Sequence, residues 1–348
     1  MKKIILTLLL PILWNLSFAQ NKTEAEKLVD EGITLHDKGE YEKAIEKYNL
    51  ALAADKDNLF AYAEIAYSLF AQKKYDEAIA TSEKAFKIHK TGDELKTLYV
   101  TYGNSLDMVD RAIESINAYD KGIKLFPDYQ MFYYNKAVTL NGLKRNDEAM
   151  QSLQQALKLN PNHPGSHNLA SNILKYQNNT IGALLSSFRF LMVEPTGERA
   201  QSVLEKIKGL LTANVTKEGA KNVNINLPSG GDKNKLNNFS TVFLMLSMAS
   251  ALDYSDEYKS ETDVQRTMRK FNSICDALSV SKKDNNGFLW DYYVPYFIEL
   301  KQKGYSEIFS NVVFASQQSP EISQYFKDNK TKLEEFANWS ESYKWKQN

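Results

Sequence analysis

Residues 39–48 read Gly39-Glu40-Tyr41-Glu42-Lys43-Ala44-Ile45-Glu46-Lys47-Tyr48, and the place of one alanine in this stretch organises half of the chain. Ala44 lies twelve residues after Gly32, and two small residues recur at that distance: Ala66 with Ala78, Gly103 with Ser115, Ala137 with Ala149, Ser171 with Ala183. The first members of these pairs are 34, 37, 34 and 34 residues apart. A leucine follows each by three positions, at Leu35, Leu69, Leu106, Leu140 and Leu174. Nineteen positions on stand Ala51, Ala85, Gly122 and Ala156, with Phe190 breaking the rule in the last copy. Five further come Lys56, Lys90, Pro127, Pro161 and Pro195. Self-similarity at such a period marks helix pairs that stack. Small residues facing each other let the helices of a pair approach closely and pack antiparallel. The leucines fill the space between pairs, and a proline ends the second helix. Each pair cannot bury its apolar face alone, so several must stack.

The period and these columns resemble the tetratricopeptide repeat, and residues 39–48 are close to that family's consensus. The resemblance covers residues 25–197 as five repeats: 25–58, 59–92, 96–129, 130–163 and 164–197. A three-residue insertion falls near Thr91-Gly92-Asp93. The fifth copy is degenerate at Ser171, Ser187 and Phe190, as end repeats often are. Residues 198–212, with Val203, Leu204, Ile207, Leu210 and Leu211, read as a capping helix. The expected fold is therefore all-α: an α-solenoid of about five helix-turn-helix repeats, then a second, mainly helical domain over 213–348.

The resemblance implies a concave surface lined by the first helix of each pair. Family geometry places Phe60, Tyr67 and Phe70 there from repeat two, and Asn104 and Asp107 from repeat three. Repeat four gives Met131, Tyr134 and Asn141; repeat five gives Asn168, Asn172 and Lys175. Aromatics supply contact area, and asparagines can pair with an extended peptide backbone through donor and acceptor alike. Family members that clamp a C-terminal carboxylate do so with Lys, Asn and Arg. The equivalent positions here are Val29, Ile33, Glu64, Thr97 and Thr101, which offer no cation, so that activity is not implied.

The chain as a whole is ordinary in composition, with 43% hydrophobic and 25% charged residues over 348 positions. The 43 basic residues balance 43 acidic ones, which argues against a general nucleic-acid binder and against strong attraction to anionic lipid. Residues 1–19 have the layout of a secretory signal peptide: Lys2 and Lys3, an apolar run from Ile4 to Trp14, then Ser17-Phe18-Ala19. No cysteine follows that run, so no lipid anchor is expected, and the expected location is periplasmic or extracellular. No later run reaches the length of a membrane span.

Beyond residue 212, Val223, Ile225 and Leu227 alternate as a short strand, and Pro228-Ser229-Gly230-Gly231-Asp232 reads as a turn. Residues 239–252 form a candidate buried helix, and Val264, Met268, Phe271, Cys275 and Leu278 share one helix face. Pro295 is expected to kink a helix, and Ser319-Pro320-Glu321 to start one. Residues 286–345 hold 15 aromatics, twice the 12% of the whole chain. Most keep the spacing of core packing; Trp290, Tyr292, Trp339 and Trp345 lie off those faces and motivate an alternative, an exposed platform for a glycan. The segment 288–297 is also similar to C-terminal regions of exported repeat proteins of Bacteroidota.

No catalytic motif emerges. Cys275 lies on an apolar face and suits a buried, inert thiol. His163 and His167 are four apart but lack a third ligand, so no metal or other cofactor is expected. Asp55-Lys56-Asp57-Asn58 lacks the Gly and Glu of a calcium loop, and Ser229-Gly230-Gly231-Asp232-Lys233 lacks phosphate-loop spacing. The leading expectation is a non-enzymatic, exported scaffold that binds a protein or extended peptide on its repeats. A glycan- or cell-wall-binding protein, and an enzyme with its site in 213–348, are the alternatives.

Overall fold

The computed structural model describes residues 22–212, 214–218, 222–226 and 236–346. The expected signal peptide and the turn at 228–232 lie outside these residues. Helix α1 spans residues 22–37. It is followed by α2 (Tyr41–Ala54), α3 (Leu59–Ala71), α4 (Tyr75–Ile88), α5 (Leu95–Met108), α6 (Ala112–Leu125), α7 (Gln130–Gly142), α8 (Asn146–Leu159), α9 (Pro164–Tyr176) and α10 (Thr180–Val193). These are the five expected helix pairs, and α11 (Glu198–Thr212) follows them.

Each pair turns in the same way. The residue with left-handed backbone is Gly39 (φ 78°), Lys73 (63°), Asp110 (60°), Lys144 (60°) or Asn178 (59°), always at the same place in the repeat. The N–H after it donates to the carbonyl of the conserved-column leucine: Glu40 to Leu35, Lys74 to Leu69, Arg111 to Leu106, Arg145 to Leu140, Asn179 to Leu174, at 2.8–2.9 Å. That bond closes the end of the first helix and satisfies a carbonyl the helix itself leaves open. The leucine column thus acts twice, through its side chain in the core and its carbonyl in the turn.

The chain divides into two compact units, residues 1–152 and 153–348, and the division falls inside α8. In the first unit the small-residue columns work differently from their sequence reading. Gly32 and Gly103 do not only face a small partner; each receives an aromatic ring from sixteen residues further on. A Cβ on Gly32 would stand 2.3 Å from Tyr48, and one on Gly103 would stand 2.4 Å from Tyr119. Gly122 makes room for Phe132 in the same way.

The second unit is built around α10. Every residue from Ile181 to Leu191 is buried, including Arg189. A helix apolar on all sides needs cover on all sides. α9, α11 and four further helices give it: α12 (Ser240–Ala251), α13 (Asp263–Ser281), α14 (Phe288–Gln302) and α15 (Ser306–Val313). α16 (Pro320–Asp328) and α17 (Lys330–Ser342) complete the unit. The fifth pair therefore clusters with the C-terminal helices, not with the first four pairs, and the compact unit begins well before the expected 213. Phe190, which broke the alanine column, is fully buried. Ser171 and Ser187 replace the Gly–Tyr pair and hydrogen-bond to each other at 2.6 Å.

Other local expectations hold. Phe271, Cys275 and Leu278 are buried on α13, which starts with a Thr262–Gln265 capping box. Ser319 accepts from the Ile322 N–H with Pro320 at the first position of α16. Pro295 lies inside α14, which continues on both sides of it, so the proline does not end the helix. The strand at 222–225 exists as β2 (Asn222–Ile225), paired antiparallel with β1 (Val215–Glu218), which the sequence reading missed. β1 has one buried residue, Val215, so it carries little alternation to read.

Candidate functional site

In the first unit, α3 presents Phe60, Glu64 and Tyr67 at spacings of four and three, hence on one face. Phe60 is 40% exposed and Tyr67 43% exposed, large values for aromatic rings. Tyr67 is nonetheless held in place. Its ring stacks on His36 of α1, with centroids 4.8 Å apart and planes 18° from parallel. His36 Nδ1 lies 2.7 Å from Ser68 Oγ, and its ring edge meets Tyr41 at 5.0 Å. Burial pushes the His36 pKa below its ordinary value, Asp37 working against this, so the imidazole acts as a neutral stacking surface. A rigid, solvent-facing aromatic gives contact area without an ordering cost on binding.

The remaining expected groove residues of this unit are half-buried. Phe70 packs its ring 5.5 Å from Tyr75. Asn104 is already engaged: its Oδ1 accepts from the Tyr119 hydroxyl at 2.7 Å. Asp107 is raised in pKa by burial, with a bond from Thr139 opposing. Met131, Tyr134 and Asn141 lie on α7. Glu64 accepts a long bond, 3.5 Å, from Tyr48, and burial and then Asp37 affect its carboxyl, raising its pKa.

In the second unit, the amide positions of repeat five are occupied from within. Lys206 of α11 places its Nζ 2.9 Å from Asn168 Oδ1, 2.5 Å from Asn172 Oδ1 and 3.4 Å from Ser171 Oγ. Burial, and then the charge of Lys175, push the Lys206 amine down to about 8. Two of the eleven expected groove residues thus spend their acceptor oxygens on the chain's own lysine. Lys175 itself is exposed.

Of the four off-face aromatics of the C-terminal half, Trp290 and Tyr292 are buried and Trp339 and Trp345 are half-buried. Trp290 is 1% exposed, stacks on Phe239 at 4.5 Å and donates Nε1–H to the Asn238 carbonyl. Tyr292 is buried and donates to the Leu157 carbonyl. Trp339 stacks on Tyr296 and donates to Glu299, and Trp345 stacks on Tyr296 and Tyr292. Beneath Trp345 sits Arg189, whose guanidinium carbon lies 4.9 Å from that ring and 5.1 Å from Tyr296. Its Nη atoms donate to Asn162, Ser340 and Tyr296, while Nε finds no partner.

His167 is buried, with Nδ1 2.8 Å from the Tyr293 hydroxyl and Nε2 2.9 Å from the Pro161 carbonyl. Since a carbonyl only accepts, Nε2 carries the proton and Nδ1 accepts from Tyr293. Both nitrogens are therefore used in packing. Cys275 donates to the Phe297 carbonyl, and burial pushes its thiol far above the ordinary range. A cavity of about 420 Å³ opens between α11 and α13; in its lining Lys270 pairs with Asp253 and Lys208 with Glu205, beside Asp263 and Arg266. Arg269 adds bonds to Asp253 and Glu261. This network ties α13 to the 252–261 segment. Among the described residues no helix is long and apolar enough to cross a membrane.

Comparison with known proteins agrees with this architecture. Residues 29–88 and 131–163 match models of the tetratricopeptide repeat, so these segments are tetratricopeptide repeats. Among solved structures, pilF of Pseudomonas aeruginosa superposes with a TM-score of 0.50 at 19% identity, over 56% of this chain and 86% of that one. YrrB, described as a TPR protein with an unusual peptide-binding site, gives 0.42 at 19% identity, over 56% of this chain and 97% of that one. MamA gives 0.42 at 19%, over 47% and 94%. At these identities the likeness concerns the fold.

Proposed function

We propose that the chain is an exported scaffold that captures a protein partner, through an extended peptide segment, on the inner face of its first four helix pairs. The observation that carries this reading is the ordered but open Tyr67, stacked on His36 and sharing a face of α3 with exposed Phe60. Tetratricopeptide repeats are interaction modules, and stacked helix pairs offer extended binding surfaces. Trp290 and Tyr292 are buried, and Trp339 and Trp345 are half-buried in ring stacks, which weakens the motive for a glycan platform.

The test is site-directed capture. A photo-crosslinking phenylalanine analogue at Tyr67 is expected to trap a partner in cells, whereas the same analogue at Tyr176, an exposed ring of the second unit, is expected not to trap it. The trapped partner, once purified, is expected to lose affinity for Tyr67→Glu by at least about tenfold, about 1.4 kcal/mol. Equal trapping at both positions would remove the groove from the proposal. Export is checked separately by sequencing the N-terminus of the protein made in its own host; a start at Gln20 is expected.

A further inference from the structure

At the N-terminal end of the α3 face a cavity of about 390 Å³ opens within the first unit. Val29, Leu59 and Phe60 supply its apolar floor. Its walls carry Glu26 and Asp30 from α1, Asp55 and Asp57 from the turn before α3, and Glu94 at the start of α5. Among the described residues Lys22 is the one cation in the lining. The ion pairs nearby use other carboxylates: Lys27 and Lys47 pair with Glu31, and Lys96 pairs with Asp93. Among the described residues none of the five wall carboxylates is in a salt bridge. One turn further along the same face, Glu64 likewise has no cation, only the long bond from Tyr48. The side chains of the face thus run aromatic, carboxylate, aromatic: Phe60, Glu64, Tyr67.

Resting on the groove reading above, we propose that this cavity and the α3 face form the subsite for a cationic stretch of an extended peptide. A Lys or Arg side chain lies with its methylene stem on Phe60 and its charged head among Asp30, Asp55, Asp57 and Glu94. A second cation one or two residues on meets Glu64 beside the Tyr67 ring. The chemistry is that of long cationic side chains generally, which cover apolar surface with the stem and keep the charge at its edge. Tyrosine faces add cation–π attraction. Uncompensated carboxylates at the rim repel an acidic segment and steer a basic one.

The experiment uses the full chain and two fluorescein-labelled peptides, one of repeating Lys-Ser and one of repeating Glu-Ser, followed by fluorescence anisotropy. The basic peptide is expected to bind and the acidic one not to. Asp55→Lys/Asp57→Lys is expected to weaken the basic peptide by at least about tenfold, and Phe60→Ala to weaken it as well. Glu42→Lys/Glu46→Lys makes the same charge change on exposed residues of α2, away from the cavity, and is expected to have a small effect. Circular dichroism establishes that each variant is folded. An equal loss in the α2 variant would mean a diffuse field, not a subsite, and overturns the proposal. Binding of neither peptide overturns it too. Binding of the acidic peptide that Tyr67→Glu abolishes would overturn the cationic partner and leave the groove standing.

Discussion

At the residue scale, the period of the sequence pointed to small residues but not to what they make room for. Gly32 and Gly103 are read easily as a column. That Tyr48 and Tyr119 fill the space depends on the side chain sixteen positions away, which varies from repeat to repeat. Ala66 has Ser82 at that distance and Ser171 has Ser187, so the pair is matched in volume and the column alone is not. Gly103→Ala is expected to push the new methyl into the Tyr119 ring and cost about 1–3 kcal/mol in thermal or urea denaturation. Gly103→Ala/Tyr119→Ser copies the Ala66–Ser82 combination. It is expected to cost less than the sum of its two single changes by about 0.5–3 kcal/mol, the coupling of residues in contact. Strict additivity would mean that the two side chains do not compete for one space. The site shows the same limit on legibility. Phe60 and Tyr67 were found from their positions in the repeat. The stack on His36 was not, because it joins two repeats and leaves no periodic trace.

At the element scale, the helix pairs were legible because each is a local pattern repeated five times. The turns were less so. Four of the five turns place a residue other than glycine in the left-handed region, at Lys73, Asp110, Lys144 and Asn178. Such backbone costs an L-residue roughly 1 kcal/mol relative to glycine, asparagine and aspartate being better tolerated than lysine. Lys73→Gly and Lys144→Gly, each at an exposed position, are therefore expected to raise stability by about 0.5–1 kcal/mol. Asn178→Gly is expected to change it less. Thermal denaturation ranks the three, and a loss of stability in both lysine variants would contradict the turn geometry. α10 is the element whose placement could have been read and was not. Thr180–Val193 has Arg189 as its single charged residue, which marks a helix covered on every side, not one at the edge of a stack.

At the scale of the whole molecule, the second unit is organised by buried polar groups as much as by its rings. Burial, and then the charge of Arg189, hold His167 down to about 3, so it stays neutral in the folded chain. An unfolded histidine takes a proton near its ordinary value of about 6.5. Stability from this residue is thus fully present above about pH 6.5 and falls as the pH drops towards 3. Going from about pH 7.5 to about 5.5 is expected to remove about 1.4 kcal/mol on this account. His167→Gln should lack that component. Because His36 and His163 titrate in both proteins, the difference between the two denaturation curves isolates His167. Parallel curves would mean that His167 takes up its proton as readily in the folded chain as in the unfolded one. None of this was visible in the sequence, where His163 and His167 look like an unfinished metal site. What decides the role of His167 is Tyr293, 126 residues away.

The bond from Arg189 to Ser340 spans 151 residues. Protein synthesis adds about 5–20 residues per second, so α10 waits roughly 10–30 s on a growing chain before its last cover exists. The first four helix pairs rest mainly on contacts close in sequence and need no such delay. The order of making the molecule is therefore built into it: the repeats can assemble early, while Thr180–Val193 spends its first seconds covered by α9 alone, its other faces open. A nonsense codon between α10 and α15 would leave part of that surface permanently uncovered, and such products are natural substrates for holding chaperones and proteases.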